Sequence, residues 1–122
     1  MKLTIHSDGF EGWAKRARAR TGKIDRGEHI EPEMTITFEN PLAMAEVLTK
    51  QRLRLIETVK RRPASITNLA STLRRDPKAV RRDVGKLERV GVLRTRQQVN
   101  PGHGKVKIVE PVAKKYNLTA AF

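Results

Sequence analysis

The sequence from Pro63 to Gly91 contains two successive helix-start signals, each followed by apolar residues at helical spacing. Ser65 is a capping residue, and the apolar residues after it fall at i, i+3, i+4 and i+7. These residues are Ile66, Leu69, Ala70 and Leu73. Asp76 and Pro77 form a second start signal, a capping side chain followed by proline at the first helical position. Two short helices joined by a tight turn are therefore predicted, the second ending at Gly91.

The helix predicted to begin at Pro77 has an apolar side and a cationic side. With Val80 set at zero, Val84 falls near about 40° and Leu87 near about 340°, so the three form one stripe. The opposite side carries basic residues and a glycine, namely Lys78, Arg82, Gly85 and Arg89, with Arg81 and Lys86 flanking them. The stripe predicts packing on a core, and the cationic side is left for a partner. Asp83 lies at the edge of the stripe and is predicted to pair with a basic neighbour.

Gly85 lies within the cationic side, where glycine costs a helix about 1 kcal/mol relative to alanine. A missing side chain at this position would let a partner approach the backbone closely. A tolerated surface glycine and a site of close helix packing are the alternatives that the sequence leaves open.

The positive charge is confined to the part of the chain after residue 40. The chain has 26 Lys and Arg against 13 Asp and Glu, a net charge of +13. Residues 1–40 hold 7 basic and 7 acidic side chains, whereas residues 41–122 hold 19 and 6. This asymmetry favours a polyanionic partner, above all nucleic acid, for the second part. A well-solvated surface is the alternative.

Other local signals precede and follow the two helices predicted between Pro63 and Gly91. Before it, residues 1–7 are a candidate strand, residues 11–20 an Ala- and Arg-rich helix that Gly22 ends, and residues 34–38 an alternating strand. Asn40 with Pro41 starts a helix, and Thr49 caps the next one, which Pro63 stops. After it, residues 92–97 and 105–110 are strands joined by the turn "VNPGHG". The tail after residue 110 is ambiguous.

Two short helices, a tight turn and a basic hairpin resemble the layout of the winged helix-turn-helix superfamily. The segment "SITNLASTLRRDPKAVRRDVGKLERVGVL", with "DRGEHIEPEMTITFENP" and "VLTKQRLRLI" before it, is similar to a closer group. That group comprises small archaeal and bacterial transcriptional regulators of the MarR-like type, some of them similar to antitoxins. The resemblance spans Asp25 to about Glu110 and implies an α+β, mainly helical fold and dimeric operator binding. Arg74 departs from it, because such proteins often have glycine in this turn.

The resemblance implies that the helix from Pro77 enters the major groove of DNA with its N-terminal part nearest the base edges. The candidates for base reading are Lys78, Arg81 and Arg82, since arginine is the commonest specific reader of guanine. The candidates for contact with the DNA backbone are Arg75, Gly85, Lys86 and Arg89. For each basic side chain, a solvated surface charge is the alternative.

The hairpin is expected to be a second contact, on the adjacent backbone or minor groove. Four of its cations, Arg94, Arg96, Lys105 and Lys107, are expected to line one side, with His103 near the tip. A mobile, solvated loop is the alternative.

Residues 1–40 are predicted to be a short α/β extension, and residues 41–122 the winged-helix DNA-binding domain. The extension has no net charge and holds the only Trp and two of the three Phe. It either completes the core of the winged helix or forms an interface for a second copy or another protein. Phe10 and Trp13 are the candidate anchors of such an interface.

Several classes of function are not indicated. The chain has no Cys, its three His lie in separate segments, and it has no phosphate-binding glycine loop or hydrolase nucleophile motif. We therefore expect no enzymatic activity, metal or cofactor. A signal peptide and a membrane-spanning apolar run are also missing from the pattern, which predicts a cytoplasmic protein that does not act at a membrane.

Three hypotheses remain. The first is a homodimeric, sequence-specific repressor that binds double-stranded DNA. The second is an antitoxin that binds a toxin through residues 1–40 and represses its own operon, which is compatible with the first. The third is a non-specific nucleoid or RNA-binding protein, which the aromatic content of 4% disfavours for single strands.

Overall fold

The computed structural model describes residues 1–120 of the chain. These residues form five helices and six strands, a mixed and mainly helical α+β arrangement, as predicted. Their order is β1 (Lys2–His6), α1 (Gly9–Asp25), β2 (Glu33–Thr37), α2 (Pro41–Val47), α3 (Lys50–Arg61), β3 (Ala64–Ser65), α4 (Ile66–Leu73), α5 (Pro77–Arg89), β4 (Leu93–Asn100), β5 (Gly104–Pro111) and β6 (Lys115–Thr119). No helix in this part of the chain is long and apolar enough to cross a bilayer.

The chain divides into two compact units at positions that differ from the predicted boundary at residue 40. The first unit comprises Met1–Glu46 and the described residues from Ala113 onward, and the second is Val47–Val112. The C-terminal part of the difference arises because β6 returns to the first unit and pairs with β1, more than a hundred residues earlier in the chain. Ala121 and Phe122, the last residues of the predicted second domain, lie outside the described residues.

The first unit contains a parallel three-stranded sheet in the order β2-β1-β6. Leu3 and Ile5 of the central strand are almost fully buried. Both edges of this strand are paired, with β2 on one side and β6 on the other. Helix α1 connects β1 to β2 and is longer than predicted, because Gly22 does not end it. The glycine that adopts a left-handed conformation, and so closes the helix, is Gly27 at φ +72°.

The second unit packs α3, α4 and α5 with a sheet in the order β3-β5-β4. The three caps predicted within this unit are confirmed, because each side chain accepts a hydrogen bond from a backbone N–H in the first turn of its helix. Thr49 caps α3, Ser65 caps α4 and Asp76 caps α5. Such caps each stabilise a helix by about 1 kcal/mol.

The core of the second unit is built by the predicted apolar stripes. Val80, Val84 and Leu87 of α5 are buried, and Leu55, Val59 and Leu69 of the preceding helices are buried with them. The hairpin contributes Leu93 and Val109, which are also almost fully buried. This packing fixes α5 with its apolar stripe inward and its cationic side outward.

Arg74 closes the turn between α4 and α5 in the left-handed conformation, at φ 54° and ψ 49°. The turn therefore has the backbone geometry that glycine favours, although an arginine occupies the position. A non-glycine residue in this conformation costs about 1–2 kcal/mol. The exposed side chain of Arg74 adds a positive charge directly before α5.

Candidate nucleic-acid interface

The outer side of α5 is a strip of basic side chains. The strip comprises Lys78, Arg81, Arg82, Lys86 and Arg89, of which only Lys86 is half-buried and the others are exposed. The buried stripe of Val80, Val84 and Leu87 lies on the opposite side of the helix. The amphipathic arrangement predicted for this helix is confirmed.

The charges of this basic strip are not neutralised within the protein. Among residues 1–120, none of its five side chains forms an ion pair or side-chain hydrogen bond. Unpaired cations at one face of a rigid helix create a positive potential that attracts an anionic partner. The strip is therefore a surface of uncompensated positive charge.

Gly85 lies among these cations, and the structure removes one of the alternatives for it. Apart from the helix backbone and the two chain neighbours, the only described atom within 4 Å of a Cβ placed there is Nη1 of Arg89, at 4.0 Å. Close packing against another element of the described chain therefore does not require a glycine. What the glycine provides is open access from outside to the backbone of α5.

Asp83 is the buried carboxylate that fixes α5 to its surroundings. Its Oδ1 accepts a hydrogen bond from Nε of Arg52 at 3.0 Å, and its Oδ2 accepts one from Nη2 of Arg75 at 2.7 Å. The three side chains are 10–19% exposed. Because Arg52 lies in α3 and Arg75 in the α4–α5 turn, this Asp83 cluster joins three parts of the second unit. The prediction that Asp83 pairs with basic neighbours is confirmed.

Arg75 was predicted to contact the DNA backbone, and the structure places it in the Asp83 cluster. Its Nη2 is bonded to Asp83, while its Nη1 is buried and has no hydrogen-bond partner among the described residues. A phosphate contact by this guanidinium would require it to leave the carboxylate. Its position therefore separates Arg75 from the exposed cations of α5.

The arginines also determine the protonation state of Asp83. Burial alone would raise the pKa of this carboxyl, but the hydrogen bonds and charges of Arg75 and Arg52 outweigh burial and hold the pKa below its usual value. Asp83 is thus ionised at neutral pH and completes a charged cluster.

The wing is the hairpin of β4 and β5, and its four cations do not line one side as predicted. The register places Arg94 opposite Glu110 and Arg96 opposite Ile108, whereas Gln97 lies opposite Lys107 and Val99 opposite Lys105. Residues directly opposite in an antiparallel pair share a face, and successive residues alternate between faces. The arginines therefore lie on one face and the lysines on the other, because even- and odd-numbered positions of β4 point to opposite sides.

The arginine face of the wing carries its own counter-ion. The two carboxylate oxygens of Glu110 accept hydrogen bonds from Nε of Arg94 at 2.8 Å and Nε of Arg96 at 3.0 Å. Burial would raise the pKa of Glu110, but both arginines outweigh it and lower the pKa below its usual value.

The tip of the wing is shorter than predicted. Both strands extend further than residues 97 and 105, so that only Pro101, Gly102 and His103 connect them. The N–H of His103 donates to the carbonyl oxygen of Asn100 at 2.8 Å, and Gly102 adopts a positive φ of 80°. His103 is exposed at this tip, as its position in the turn predicted.

Phe10 and Trp13 lie next to each other on α1 in the first unit. Their ring centroids are 5.5 Å apart, and the side chains are 76% and 48% exposed. Large exposed aromatic residues of this kind are frequent anchors of protein interfaces. The aromatic pair therefore does not belong to the core of the described first unit.

Sequence reasoning missed Arg52 and Glu110. Arg52 lies 31 residues before Asp83, and no spacing pattern connects them. Glu110 could have been found from the sequence, because it is the only acid in the hairpin and a turn at residues 101–103 places it opposite Arg94.

One family model matches the second unit of the chain, and several solved structures are similar to larger or smaller parts of it. The model of the HVO_A0114 family matches residues 47–112. No curated protein sequence matches the chain. A possible transcriptional regulator from Methanosarcina mazei is similar in structure, with 27% identity, 59% of this chain and 68% of that chain covered, and a TM-score of 0.49.

ZitR from Lactococcus lactis, in a structure with DNA, is similar over more of the chain. Its identity is 12%, the likeness covers 88% of this chain and 68% of that one, and the TM-score is 0.50. A transcriptional regulator homologue from Pyrococcus horikoshii is 18% identical. The likeness covers 57% of this chain and 74% of that chain, and the TM-score is 0.45. The likeness to ZitR shows that the chain has a winged-helix fold.

We predict that Asp83→Asn lowers the free energy of unfolding by about 3 kcal/mol at neutral pH, because it leaves two guanidiniums without their counter-ion. The folded-state pKa of Asp83 is depressed, so its contribution is present above the pKa of about 3.9 of an unfolded Asp and is lost as the pH falls through the folded-state pKa. The difference between wild type and variant should therefore shrink in acid. Chemical denaturation from pH 7 to pH 2 measures it.

Asp76→Asn is the matched control for this experiment. Asp76 is exposed and caps α5, and asparagine caps a helix about as well as aspartate. Its unfolding free energy should follow that of the wild type at each pH. A deficit of Asp83→Asn that stayed constant down to pH 2 would contradict the assigned role of the charge.

Proposed function

The chain belongs to the HVO_A0114 family, and we propose that it is a sequence-specific regulator of transcription that binds double-stranded DNA and acts as a repressor of MarR-like type in the cytoplasm. The observation that carries the proposal is the basic strip of α5, whose five cations have no partner among residues 1–120. ZitR has been determined with DNA, and the shared winged-helix fold supports a similar use of α5.

In this proposal α5 lies in the major groove. Its N-terminal half carries Lys78, Arg81 and Arg82, which read base edges, because the first turns of a recognition helix are nearest the bases. Lys86 and Arg89, in the second half, contact phosphates and fix the position of the helix on the duplex. Gly85, between the two groups, allows the DNA backbone to approach the helix.

The Asp83 cluster supports this use of α5. Base reading through paired hydrogen bonds requires a helix whose orientation is fixed before binding. The carboxylate joins α5 to α3 and to the turn that precedes α5, while the apolar stripe holds the same helix to the core. Asp83 is buried, so its negative charge is kept away from the phosphates.

The composition of the second unit favours duplex over single-stranded nucleic acid. Residues 47–112 contain no Phe, Trp or Tyr. Proteins that bind single strands stack the bases on aromatic side chains, which contribute about 1–3 kcal/mol per base. A unit without such side chains is suited to the phosphates and groove edges of paired DNA.

We predict that selection from random duplex DNA enriches a near-palindromic site, with half-sites about one or two helical turns apart. Arg82→Ala should cost about 1–3 kcal/mol on this site and relax the preference at one base pair of each half-site. Arg89→Ala should weaken binding to all DNA sequences by the same factor and reduce the slope of log K against log salt by about 1. Sequencing of the selected pools and titrations at two salt concentrations measure these effects.

The two arginine variants control each other, since each removes one exposed positive charge from the same helix. Equal losses on all sequences for both would contradict base reading by Arg82. A wild-type protein that binds no sequence better than random duplex would overturn the proposed function.

We also predict that Gly85→Ala stabilises the fold by about 1 kcal/mol and weakens DNA binding by about tenfold. In the free protein the added methyl group meets, among the described residues, only the end of the Arg89 side chain, at an ordinary contact distance of 4.0 Å. In the proposed complex it occupies the position that the DNA backbone approaches. Thermal unfolding and binding titrations on the selected site give the two values.

Gly22→Ala in α1 is the matched control, because a Cβ there meets only the end of the flexible Arg26 side chain. It should stabilise the helix without changing DNA binding. Undiminished DNA binding by Gly85→Ala would show that the glycine is a tolerated surface residue.

A second candidate function concerns the first unit, where the exposed aromatic pair of Phe10 and Trp13 favours a protein partner. We propose that this pair forms the homodimer interface. The alternative is that it binds a toxin, so that the protein is an antitoxin that represses its own operon. Both would give these exposed rings a cover that residues 1–120 do not supply.

We predict that light scattering of the purified protein gives the mass of a dimer, and that Phe10→Ser with Trp13→Ser gives the mass of a monomer. The change removes two apolar anchors from the proposed interface. A wild-type monomer that forms a complex of defined mass with the product of an adjacent gene, when the variant does not, would favour the toxin instead. A dimer in both proteins would exclude the aromatic pair from the interface between copies.

A further inference from the structure

We propose that the wing contacts the duplex with the face that carries Lys105 and Lys107, while Glu110 holds Arg94 and Arg96 to the protein on the opposite face. This inference rests on the proposed function, since it concerns how a DNA-binding winged helix uses its hairpin. It divides four cations that the sequence alone presents as equivalent into two pairs with different roles.

The face of the hairpin that carries Lys105 and Lys107 is turned towards α5. Lys105 and Lys107 share a face with Leu93 and Val109, which are almost fully buried in the core of the second unit. Thr95 lies on the same face, and its hydroxyl donates to Oε2 of Glu88 in the last turns of α5 at 2.6 Å. This face of the hairpin is therefore turned towards α5, and the lysines continue it beyond the core towards the tip.

The lysine face of the hairpin lies beside the duplex in the proposed complex. In the proposed complex α5 lies in the major groove, so the side of the hairpin turned towards α5 is the side nearest the adjacent DNA backbone. Among residues 1–120, neither lysine forms an ion pair or a side-chain hydrogen bond. Both are exposed and available, and a lysine ammonium binds phosphate as a point charge without demanding a fixed geometry.

Arg94 and Arg96, on the other face, are held by Glu110. Glu110 accepts one hydrogen bond from each arginine, and Nη1 of Arg96 also donates to Oε1 of Gln98 at 3.0 Å. Charge-assisted bonds of this kind are stronger than neutral ones, and the carboxylate is only 18% exposed. A phosphate contact through this face would break these bonds and bring the charge of Glu110 towards the DNA.

The two faces also differ in net charge. Among the residues of the hairpin itself, the lysine face carries two positive charges and no acid, whereas the arginine face carries two positive charges and one negative charge. Glu88 of α5 meets the lysine face only at Thr95, at the end of the hairpin away from the tip. The lysine face therefore has the greater attraction for a phosphate backbone. Because phosphate contacts carry no direct sequence information, this face contributes affinity and position, and α5 reads the sequence.

The test compares two double variants, Lys105→Gln with Lys107→Gln and Arg94→Gln with Arg96→Gln. Each lowers the net charge by two, so the long-range attraction to DNA changes equally. We expect the lysine variant to reduce the slope of log K against log salt by about 2, because two phosphate contacts are lost. The arginine variant should leave the slope within about half a unit of the wild type. Titrations of the selected duplex across a range of salt concentrations measure both.

Hydroxyl-radical footprinting of the same complexes locates the change. The lysine variant should lose protection of the DNA backbone beside the α5 site, and the arginine variant should retain it. Equal changes in slope, or a larger change in the arginine variant, would overturn the inference. Thermal unfolding of all proteins verifies that each variant is folded.

Arg82→Ala is included in the same experiment so that failure of this inference can be distinguished from failure of the proposed function. If Arg82→Ala loses sequence preference while the two wing variants behave alike, α5 binds DNA as proposed and the assignment of the wing faces is wrong. If the wild type itself shows no sequence preference, the proposed function fails first.

Discussion

The second unit depends on one buried carboxylate, that of Asp83. Helix α5 carries five unpaired cations on its outer side, and these repel one another and are well solvated when the helix is free. The apolar stripe fixes which side of α5 faces inward, but such a stripe alone permits small rotations and shifts along the helix axis. Two directional bonds from Arg52 and Arg75 restrict those movements. Buried ion pairs often contribute little net stability compared with apolar residues. The main effect of this cluster is therefore to fix the orientation of α5.

Two groups of basic residues in the second unit serve different purposes. One group consists of arginines bound to internal acids: Arg52 and Arg75 with Asp83, and Arg94 and Arg96 with Glu110. The other group consists of the basic strip of α5 and the lysines of the wing, which are bound to no acid among the described residues. Arginine suits the binding of internal acids, because its guanidinium is planar and has several N–H donors. One carboxylate can then be held by two guanidiniums at once. The net charge therefore overstates the charge that is available to a partner.

The local features of the fold could be predicted from the sequence, and the non-local ones could not. The caps at Ser65 and Asp76 and the stripe of α5 depend on residues within one or two helical turns, and all are confirmed. The end of α1 was placed at Gly22, because sequence does not reveal which glycine adopts a positive φ. Strand β6 was missed because its partner β1 is at the other end of the chain. For the site, the exposed cations of α5 followed from helical spacing, but the positions of Arg75 and the wing arginines depend on Asp83 and Glu110, which only the folded chain brings close to them.

The residues at two positions near α5 lower the stability of the fold, and both positions lie beside the basic strip. Arg74 holds a left-handed conformation at a cost of about 1–2 kcal/mol, and Gly85 costs the helix about 1 kcal/mol relative to alanine. Glycine at the first position and alanine at the second would each give a more stable chain, and nothing in the described structure opposes either change. Arg74 instead retains a positive charge before the first turn of α5, and Gly85 retains an open approach to its backbone. Residues that reduce stability without a structural reason are expected where binding sets the requirement. Both positions therefore lie at the same surface as the unpaired cations. At Gly85 it is the loss of helix stability, and not a charge, that indicates this surface.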